Sequence, residues 1–197
     1  HLDEWVLSRK PDMVHINCGI HDLRKELDGS GPPVPLAMAN KRARFQWRTP
    51  MFLDHKRVLV FSAHAADFCS RAGGTIARFT DAGATVHIHD FTYGELLESP
   101  ALWAQEPPPP IGVIKALRQE EMERAAGILG ATIDCFDYGD GPLLLGPERR
   151  LEVMDAIRAF VPDVVLCHWI DDFLHPDHVE AAQGVLWAAR YCNTPGI

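Results

Sequence analysis

The sequence lacks the features that would place a protein in a membrane or outside the cell. No apolar run approaches the ~20 residues that a membrane-spanning helix needs, and no signal peptide is visible. The five cysteines are odd in number and form no Cys-x-x-Cys pair. This pattern favours packing side chains in a reducing compartment over a disulfide framework. We therefore expect a soluble, cytoplasmic protein.

An excess of positive charge is also absent. The sequence has 19 Lys and Arg residues against 27 Asp and Glu residues, a formal net charge of −8. This balance argues against broad binding to nucleic acid or to an anionic membrane surface. An acidic ligand would need local basic residues. The sequence leaves open whether copies of the chain associate as a homo-oligomer.

Residues 1–50 are predicted to form a separate N-terminal extension. A strand is predicted over Met13–Cys18, and the run Gly19-Ile-His-Asp-Leu23 that follows it resembles the third block of SGNH-type esterases, with His21 in place of the usual Asn. The sequence has neither a Gly-Asp-Ser nucleophile block nor an Asp-x-x-His block, so an esterase triad cannot be assembled. We interpret these residues as an N-terminal extension that is either an SGNH-like remnant or a fusion partner. A Gly- and Pro-rich linker, 28–35, leads to a boundary near residue 50.

Residues 51–197 predict a single α/β domain. Short apolar runs alternate with helical patterns along this part of the chain. The predicted strands are Val58–Ala63, Thr85–Phe91, Thr132–Phe136 and Pro162–His168, and the predicted helices are Arg71–Gly83, Ile114–Leu129, Pro147–Phe160 and His175–Arg190. Such alternation is typical of a Rossmann-like, doubly wound, mainly parallel sheet with helices on both faces.

Side chains that bind metals follow the first and fourth of these strands. His64 and Asp67 come where the first strand ends, and the run from Asp171 to His178 follows the fourth. If these strands are neighbours, the two loops face each other at the carboxyl edge of the sheet. Two imidazoles and one carboxylate would then converge, with a coordination position left open as in catalytic zinc sites. The alternative is that these are unrelated loop residues.

Two further groups of polar residues belong to the second predicted strand and the loop after it. His87 and His89 lie on one face of that strand. Two histidines at positions i and i+2 of a strand could both ligate one metal ion, although histidines in the middle of a strand are more often packed or solvated. Glu95 and Glu98 lie on the loop after the strand, where carboxylates are candidate acid and base groups.

Several motifs together resemble the PIG-L/LmbE-type zinc de-N-acetylase family. They extend over about residues 57–190 and comprise His64-x-x-Asp67, Gly73-Gly74, Thr92-Tyr-Gly-Glu95, Arg118-Gln-Glu-Glu121 and His175-Pro-Asp-His178. The resemblance implies one divalent metal, zinc by default, held by His64, Asp67 and His178. In members of this family, more residues follow the last of these motifs than follow it in this chain. The resemblance therefore also implies a domain truncated at its C-terminus.

The sequence departs from the deacetylases at one catalytic position. Their motif is His-Pro-Asp-Asp-Glu, and its first Asp serves as general base, whereas this sequence has Ala66 there. The runs 62–68, 71–74 and 94–103 instead resemble the branch of the family that contains 4-oxalomesaconate hydratase. That resemblance implies a metal-dependent hydratase, which adds water to a carbon–carbon double bond of an unsaturated oxo-carboxylate formed in aromatic ring cleavage.

This interpretation assigns roles to four further residues. Arg71 is the predicted clamp for a carboxylate of the substrate, with a purely structural ion pair as its alternative. Glu98 is the preferred base and Glu95 the second candidate. His175 either stabilises negative charge that develops on an oxygen or orients a metal ligand. The alternatives for the whole domain are a zinc-dependent deacetylase or amide hydrolase and an inactive fragment of the family.

Overall fold

A computed structural model describes residues 56–197 and, for residues 12–15, the backbone. The described strands are β1 (Asp12–His15), β2 (Arg57–Ser62), β3 (Thr85–Asp90), β4 (Thr132–Cys135) and β5 (Val164–Cys167). The described helices are α1 (Asp67–Asp81), α2 (Pro100–Trp103), α3 (Ile111–Ile128), α4 (Pro147–Phe160) and α5 (Pro176–Tyr191). The predicted linker and the boundary near residue 50 lie outside the described residues.

The strands form one parallel sheet in the order β1-β5-β2-β3-β4. Val58 of β2 pairs with Val164 of β5 on one side and with Val86 of β3 on the other. The chain therefore leaves β2 toward β3 and β4 and later returns to its opposite side as β5. Ligands of open α/β folds bind where the strand order reverses in this way. The sequence left open whether the first and fourth strands of the main domain are neighbours, and the pairing of β2 with β5 shows that they are.

Each face of the sheet carries a hydrophobic core. Alternate residues of β2 point to opposite faces, so Val58 and Val60 pack with α1 and α3 while Leu59 and Phe61 pack with α4 and α5. β5 is buried along its whole length, as a strand covered on both faces must be. The predicted α/β class with helices on both faces is confirmed.

Helix α1 begins at Asp67, four residues before the predicted start at Arg71. The chain needs only a short turn after β2, in which the Asp67 amide donates to the carbonyl of His64 at 3.0 Å. Asp67 therefore lies in the first turn of the helix, where a carboxylate interacts favourably with the helix dipole. The other predicted helix and strand bounds differ from the observed ones by up to three residues.

A helix that crosses a bilayer must be both long and apolar. In residues 56–197 no helix is both long and apolar enough to span a membrane.

The core under α1 predicts a large stability effect. Ile76 of α1 is fully buried, so Ile76→Ala should lower the free energy of unfolding by about 2–5 kcal/mol through lost contacts and a residual cavity. Ile128→Ala removes the same atoms from a side chain that is 85% exposed, and we expect a change within about 0.5 kcal/mol. Urea unfolding of both variants measures the difference, and equal losses would contradict this packing.

Candidate metal centre and active site

The turn between β2 and α1 presents an imidazole and a carboxylate side by side. His64 and Asp67 are both buried, with 1% and 5% of their surface exposed. The backbone amide of His64 donates to Oδ2 of Asp67 at 3.0 Å, which fixes the carboxylate at the start of the helix. Nδ1 of His64 lies 3.1 Å from the same oxygen.

His178 reaches this carboxylate from the first turn of α5. Its Nε2 lies 3.2 Å from Oδ2 of Asp67. Ligand atoms of a tetrahedral zinc site, bonded at about 2.0–2.2 Å, are separated by about 3.3 Å. The structure thus brings together the three residues predicted as metal ligands, with spacings and donor types that fit a divalent ion such as zinc.

Two further carboxylates hold the far sides of these imidazoles. Nε2 of His64 lies 3.1 Å from Asp177, and Nδ1 of His178 lies 2.8 Å from Asp172. Metal-binding histidines commonly have such an outer carboxylate, which fixes the tautomer and the orientation of the ring. Sequence analysis did not identify this outer layer.

Backbone amides anchor both outer carboxylates. Asp177 accepts hydrogen bonds from the amides of Gly141 and Leu143, and Asp172 accepts one from Leu174. The anchoring explains why these side chains can stay ionised although they are buried: burial favours the neutral acids, but the hydrogen bonds outweigh it and lower the pKa of each carboxyl.

The pKa values of His64 and Asp67 move apart because the two residues are paired. Burial opposes the charge of both groups. The hydrogen bond and negative charge of Asp67 nevertheless raise the pKa of His64 to about 9. Hydrogen bonds from His178 and His64 in turn hold the pKa of Asp67 well below its usual range. The cluster therefore favours a carboxylate anion at its centre.

His168 is a third histidine beside Asp67, and sequence analysis missed its role. Its Nε2 accepts a hydrogen bond from the backbone amide of Ala63 at 2.9 Å, and its ring stacks on His178 with centroids 4.0 Å apart. Burial lowers the pKa of His168 to about 3, so the ring is neutral. Asp67, His168 and His178 are close enough to share an ion, but the backbone bond already occupies the Nε2 lone pair. We therefore interpret His168 as a support for His178.

His175 contributes an unpaired nitrogen to the cluster. It caps the N-terminus of α5, and its ring lies 4.7 Å from that of His64 and 4.5 Å from that of His178, centroid to centroid. Its Nδ1 is buried and has no hydrogen-bond partner among the residues described. Burial, reinforced by the charge of His64, lowers the pKa of His175. A neutral imidazole with a free nitrogen can donate to or accept from a ligand.

Glu98 reaches the same cluster from the loop after β3. Its Oε2 accepts hydrogen bonds from the backbone amide of Ala66 and from the guanidinium of Arg118, each at 3.1 Å. Carboxylate oxygens of Glu98 and Asp67 and a ring nitrogen of His64 lie within 4.8 Å of one another. Burial and the negative charge of Asp67 raise the pKa of Glu98.

The loop brings Glu98 to this position by folding over Gly94. Gly94 has φ +66°, a left-handed conformation that L-residues rarely adopt. A Cβ atom on Gly94 would lie 2.7 Å from Oε2 of Glu98. Only glycine therefore satisfies both the turn and the close approach of the carboxylate.

Glu95, the second predicted acid or base, makes different contacts. Only 2% of its surface is exposed, and Oε1 lies 3.3 Å from Nζ of Lys115. Its backbone carbonyl accepts a hydrogen bond from the indole of Trp103. Its Oε2 has no hydrogen-bond partner in the described part of the chain. These contacts join Glu95 to α2 and α3, whereas those of Glu98 join it to the histidine cluster.

Arg71, the predicted substrate clamp, lies against the carboxylates of the cluster. Its Nε donates to Oδ1 of Asp67 at 3.3 Å, and Nη1 lies 4.0 Å from Asp172. The side chain is 14% exposed. The structural ion pair considered from the sequence is thus present.

Sequence analysis also did not identify a buried carboxylic acid below the site. Asp90 ends β3 and has no exposed surface. Burial raises its pKa well above the usual value, and the hydroxyl of Ser62 hydrogen-bonds to it. This raised pKa favours the neutral form of Asp90, which would add no second anion beside Asp67. The predicted strand Thr85–Phe91 contained it, but no sequence signal separated it from a surface carboxylate.

Comparison with known proteins identifies relatives with two activities. The 4-oxalmesaconate hydratase of Pseudomonas putida is 39% identical over 128 residues, which cover 65% of this chain and 49% of that enzyme. The diacetylchitobiose deacetylase of Thermococcus kodakarensis is 34% identical over 150 residues, which cover 74% of this chain and 54% of the relative. The chain thus spans about half the length of the curated relatives it matches.

Solved structures and a family model agree with these relatives. The 4-carboxy-2-hydroxymuconate hydratase of Pseudomonas putida superposes with a TM-score of 0.65 at 37% identity, over 68% of this chain and 55% of that one. The N,N'-diacetylchitobiose deacetylase of Pyrococcus horikoshii gives 0.64 at 26% identity, over 82% and 60%. The PIG-L model, described as GlcNAc-PI de-N-acetylase, matches residues 59–189. Since this match covers well over half of the chain, the chain belongs to the PIG-L family.

Proposed function

We propose that this chain carries the metal site and the base of a hydratase that adds water to a carbon–carbon double bond of an unsaturated oxo-carboxylate. The observation that carries the proposal is the position of Glu98, whose carboxylate lies against the backbone of Ala66. Ala66 stands where the deacetylase motif has its general base. The identity with a 4-oxalmesaconate hydratase supports the same reaction class.

His64, Asp67 and His178 are the proposed ligands of one divalent ion, most simply zinc. Asp177 and Asp172 would hold the two imidazoles in place, as outer carboxylates do in many zinc sites. When bound, the ion would act as a Lewis acid on an oxygen of the substrate. The buried, unpaired Nδ1 of His175 is a polar group that a ligand at this centre could satisfy.

Hydration forms a C–O bond at one alkene carbon and a C–H bond at the other. In this proposal Glu98 takes the proton that the attacking water releases. The alkene electron pair moves onto the conjugated oxo or carboxyl oxygen to give an enolate, and protonated Glu98 returns the proton, directly or through solvent, to the second alkene carbon. The raised pKa of Glu98 suits this role, because a base works best when its pKa lies nearer the working pH.

Two cluster residues are suited to the negative charges of such a substrate. A neutral His175 can donate its ring N–H to the oxygen on which charge develops. Arg71 can offer its terminal guanidinium nitrogens to a substrate carboxylate while its Nε stays on Asp67. These roles would give the acidic protein the local positive groups that an anionic substrate requires.

A zinc-dependent deacetylase is the second candidate, and one observation favours it. The ligand set of His64, Asp67 and His178 matches the de-N-acetylase motif, and a diacetylchitobiose deacetylase is among the relatives. In such an enzyme Glu98 would be the base for amide hydrolysis. The methyl group of Ala66 argues for the hydratase, because it cannot transfer a proton at the position the deacetylases use.

Metal content tests the proposed ligands. His64→Ala and His178→Ala should lose most of the metal that the wild-type chain retains at this centre after dialysis, because each removes one of three ligands. Asp172→Asn should lower metal affinity by about 10–100-fold, since His178 loses its outer carboxylate. Elemental analysis measures all three, with Glu98→Gln as the variant that keeps its metal. Unchanged metal in both histidine variants would remove this assignment.

Glu98→Gln tests the proposed base. The variant should keep its metal but lower kcat for hydration of a 4-oxalmesaconate-type substrate by about 10²-fold or more, since an amide cannot accept the proton. Glu121→Gln is the matched control, because Glu121 hydrogen-bonds to the same Arg118 yet its side chain is 61% exposed. If Glu98→Gln kept the wild-type kcat, the base would have to be another group, with Glu95 the next to test.

Arg71→Lys separates a substrate clamp from a structural ion pair. Lysine keeps the charge but loses the planar fork, so kcat/KM should fall by about tenfold, or ~1.4 kcal/mol, mainly through a higher KM. Metal content and thermal stability should change little. A variant with lower metal content and unchanged KM would instead make Arg71 a support for Asp67 alone.

A further inference from the structure

A second group of metal-binding side chains lies in the middle of β3 and β4, on the face of the sheet. Along β3, Val86 and Ile88 are buried on one face, while His87 and His89 are half-buried on the other. The strand register pairs His89 directly with Asp134 of β4. Paired residues of adjacent strands point to the same face, so both imidazoles and this carboxylate share one surface.

The three side chains are close enough to bind one ion. Ligand atoms of His87, His89 and Asp134 all lie within 4.8 Å of one another. Nε2 of His87 is 3.3 Å from the Asp134 carboxylate, which is about the 3.3 Å separation of ligand atoms bonded to zinc at about 2.0–2.2 Å. The two imidazole centroids lie 4.5 Å apart at an angle of 81°.

The surroundings hold the imidazoles in place and leave an entrance. The hydroxyl of Thr132 lies 2.7 Å from Nδ1 of His87, which directs Nε2 toward Asp134. Phe160 stacks on His87 and Phe136 stacks on His89. An outer polar partner and fixed ring positions are what a preorganised metal site needs. The Asp134 side chain is 73% exposed, so an ion can reach the cluster from solvent.

We propose that His87, His89 and Asp134 form a second metal site, separate from the candidate active site. Two imidazoles and one carboxylate select ions that prefer nitrogen ligands, such as Zn²⁺, Cu²⁺ or Ni²⁺. Mg²⁺ and Ca²⁺ prefer oxygen ligands and are not expected to bind. The proposal shares no ligand with the active site, so it does not depend on the hydratase assignment.

Zinc titration in a background without the first centre tests the site. The His64→Ala/His178→Ala double variant should still bind one equivalent of Zn²⁺ in equilibrium dialysis, and adding His89→Ala should abolish that equivalent. Asp134→Asn should weaken zinc binding by about tenfold or more, since even the loss of an outer-shell partner costs that much. Asp155→Asn, which alters a similarly exposed carboxylate paired with Arg158, is the matched control.

Folding of each variant is checked by circular dichroism. Asp134→Asn keeps the test decisive if His89→Ala disturbs the aromatic packing, because the Asp134 side chain lies at the surface. Retention of the zinc equivalent with unchanged affinity in Asp134→Asn would overturn the proposal. Failure of the folded double variant to bind any zinc at millimolar Zn²⁺ would overturn it equally, and would leave the first centre unaffected.

Discussion

The buried carboxylate of Asp67 is the constraint on which the rest of the site depends. An ionised carboxylate with so little contact with water requires compensating hydrogen bonds and opposite charge. Asp67 obtains them from the backbone amide of His64, from the imidazoles of His64 and His178, and from the guanidinium of Arg71. These partners come from the turn after β2, from α1 and from the first turn of α5, so the contacts of one side chain tie β2, α1 and α5 together at the switch point of the sheet.

The same requirement extends outward in layers. The imidazoles of His64 and His178 each have their other nitrogen against a second carboxylate, and both of those carboxylates accept hydrogen bonds from backbone amides. The backbone amides therefore fix the outer carboxylates, and the outer carboxylates fix the orientation of the imidazole rings. Such layering explains how two imidazoles and three carboxylates can be buried in a small volume. Burial raises the pKa of Asp90 just below them, which favours its neutral form.

Much of the fold and the inner cluster could be predicted from the sequence, for a physical reason. Alternating apolar runs and helical patterns determine a parallel sheet, and side chains after neighbouring parallel strands must meet at one edge. His64, Asp67 and His178 therefore came together as predicted. The order of the strands was not predicted, because the pairing of β2 with β5 joins segments that are more than 100 residues apart in the chain.

The outer carboxylates, His168 and the choice between Glu95 and Glu98 could not be predicted in the same way. Asp177 lies within the His-Pro-Asp-His motif, yet its contact with His64 spans 113 residues, and nothing in the sequence distinguishes Asp172 from Asp171 beside it. Glu95 and Glu98 are three residues apart on one loop. Only the turn at Gly94 directs Glu98 to the cluster and leaves Glu95 against Lys115.

We propose that this site, built on the deacetylase ligand set, serves hydration because its base comes from the neighbouring loop. The most direct measurement incubates the zinc-loaded protein with a 4-oxalmesaconate-type substrate and, separately, with an N-acetylated sugar. We predict loss of the ultraviolet absorbance of the conjugated substrate and no release of acetate from the sugar. Acetate release without any loss of that absorbance would contradict the account and identify a deacetylase.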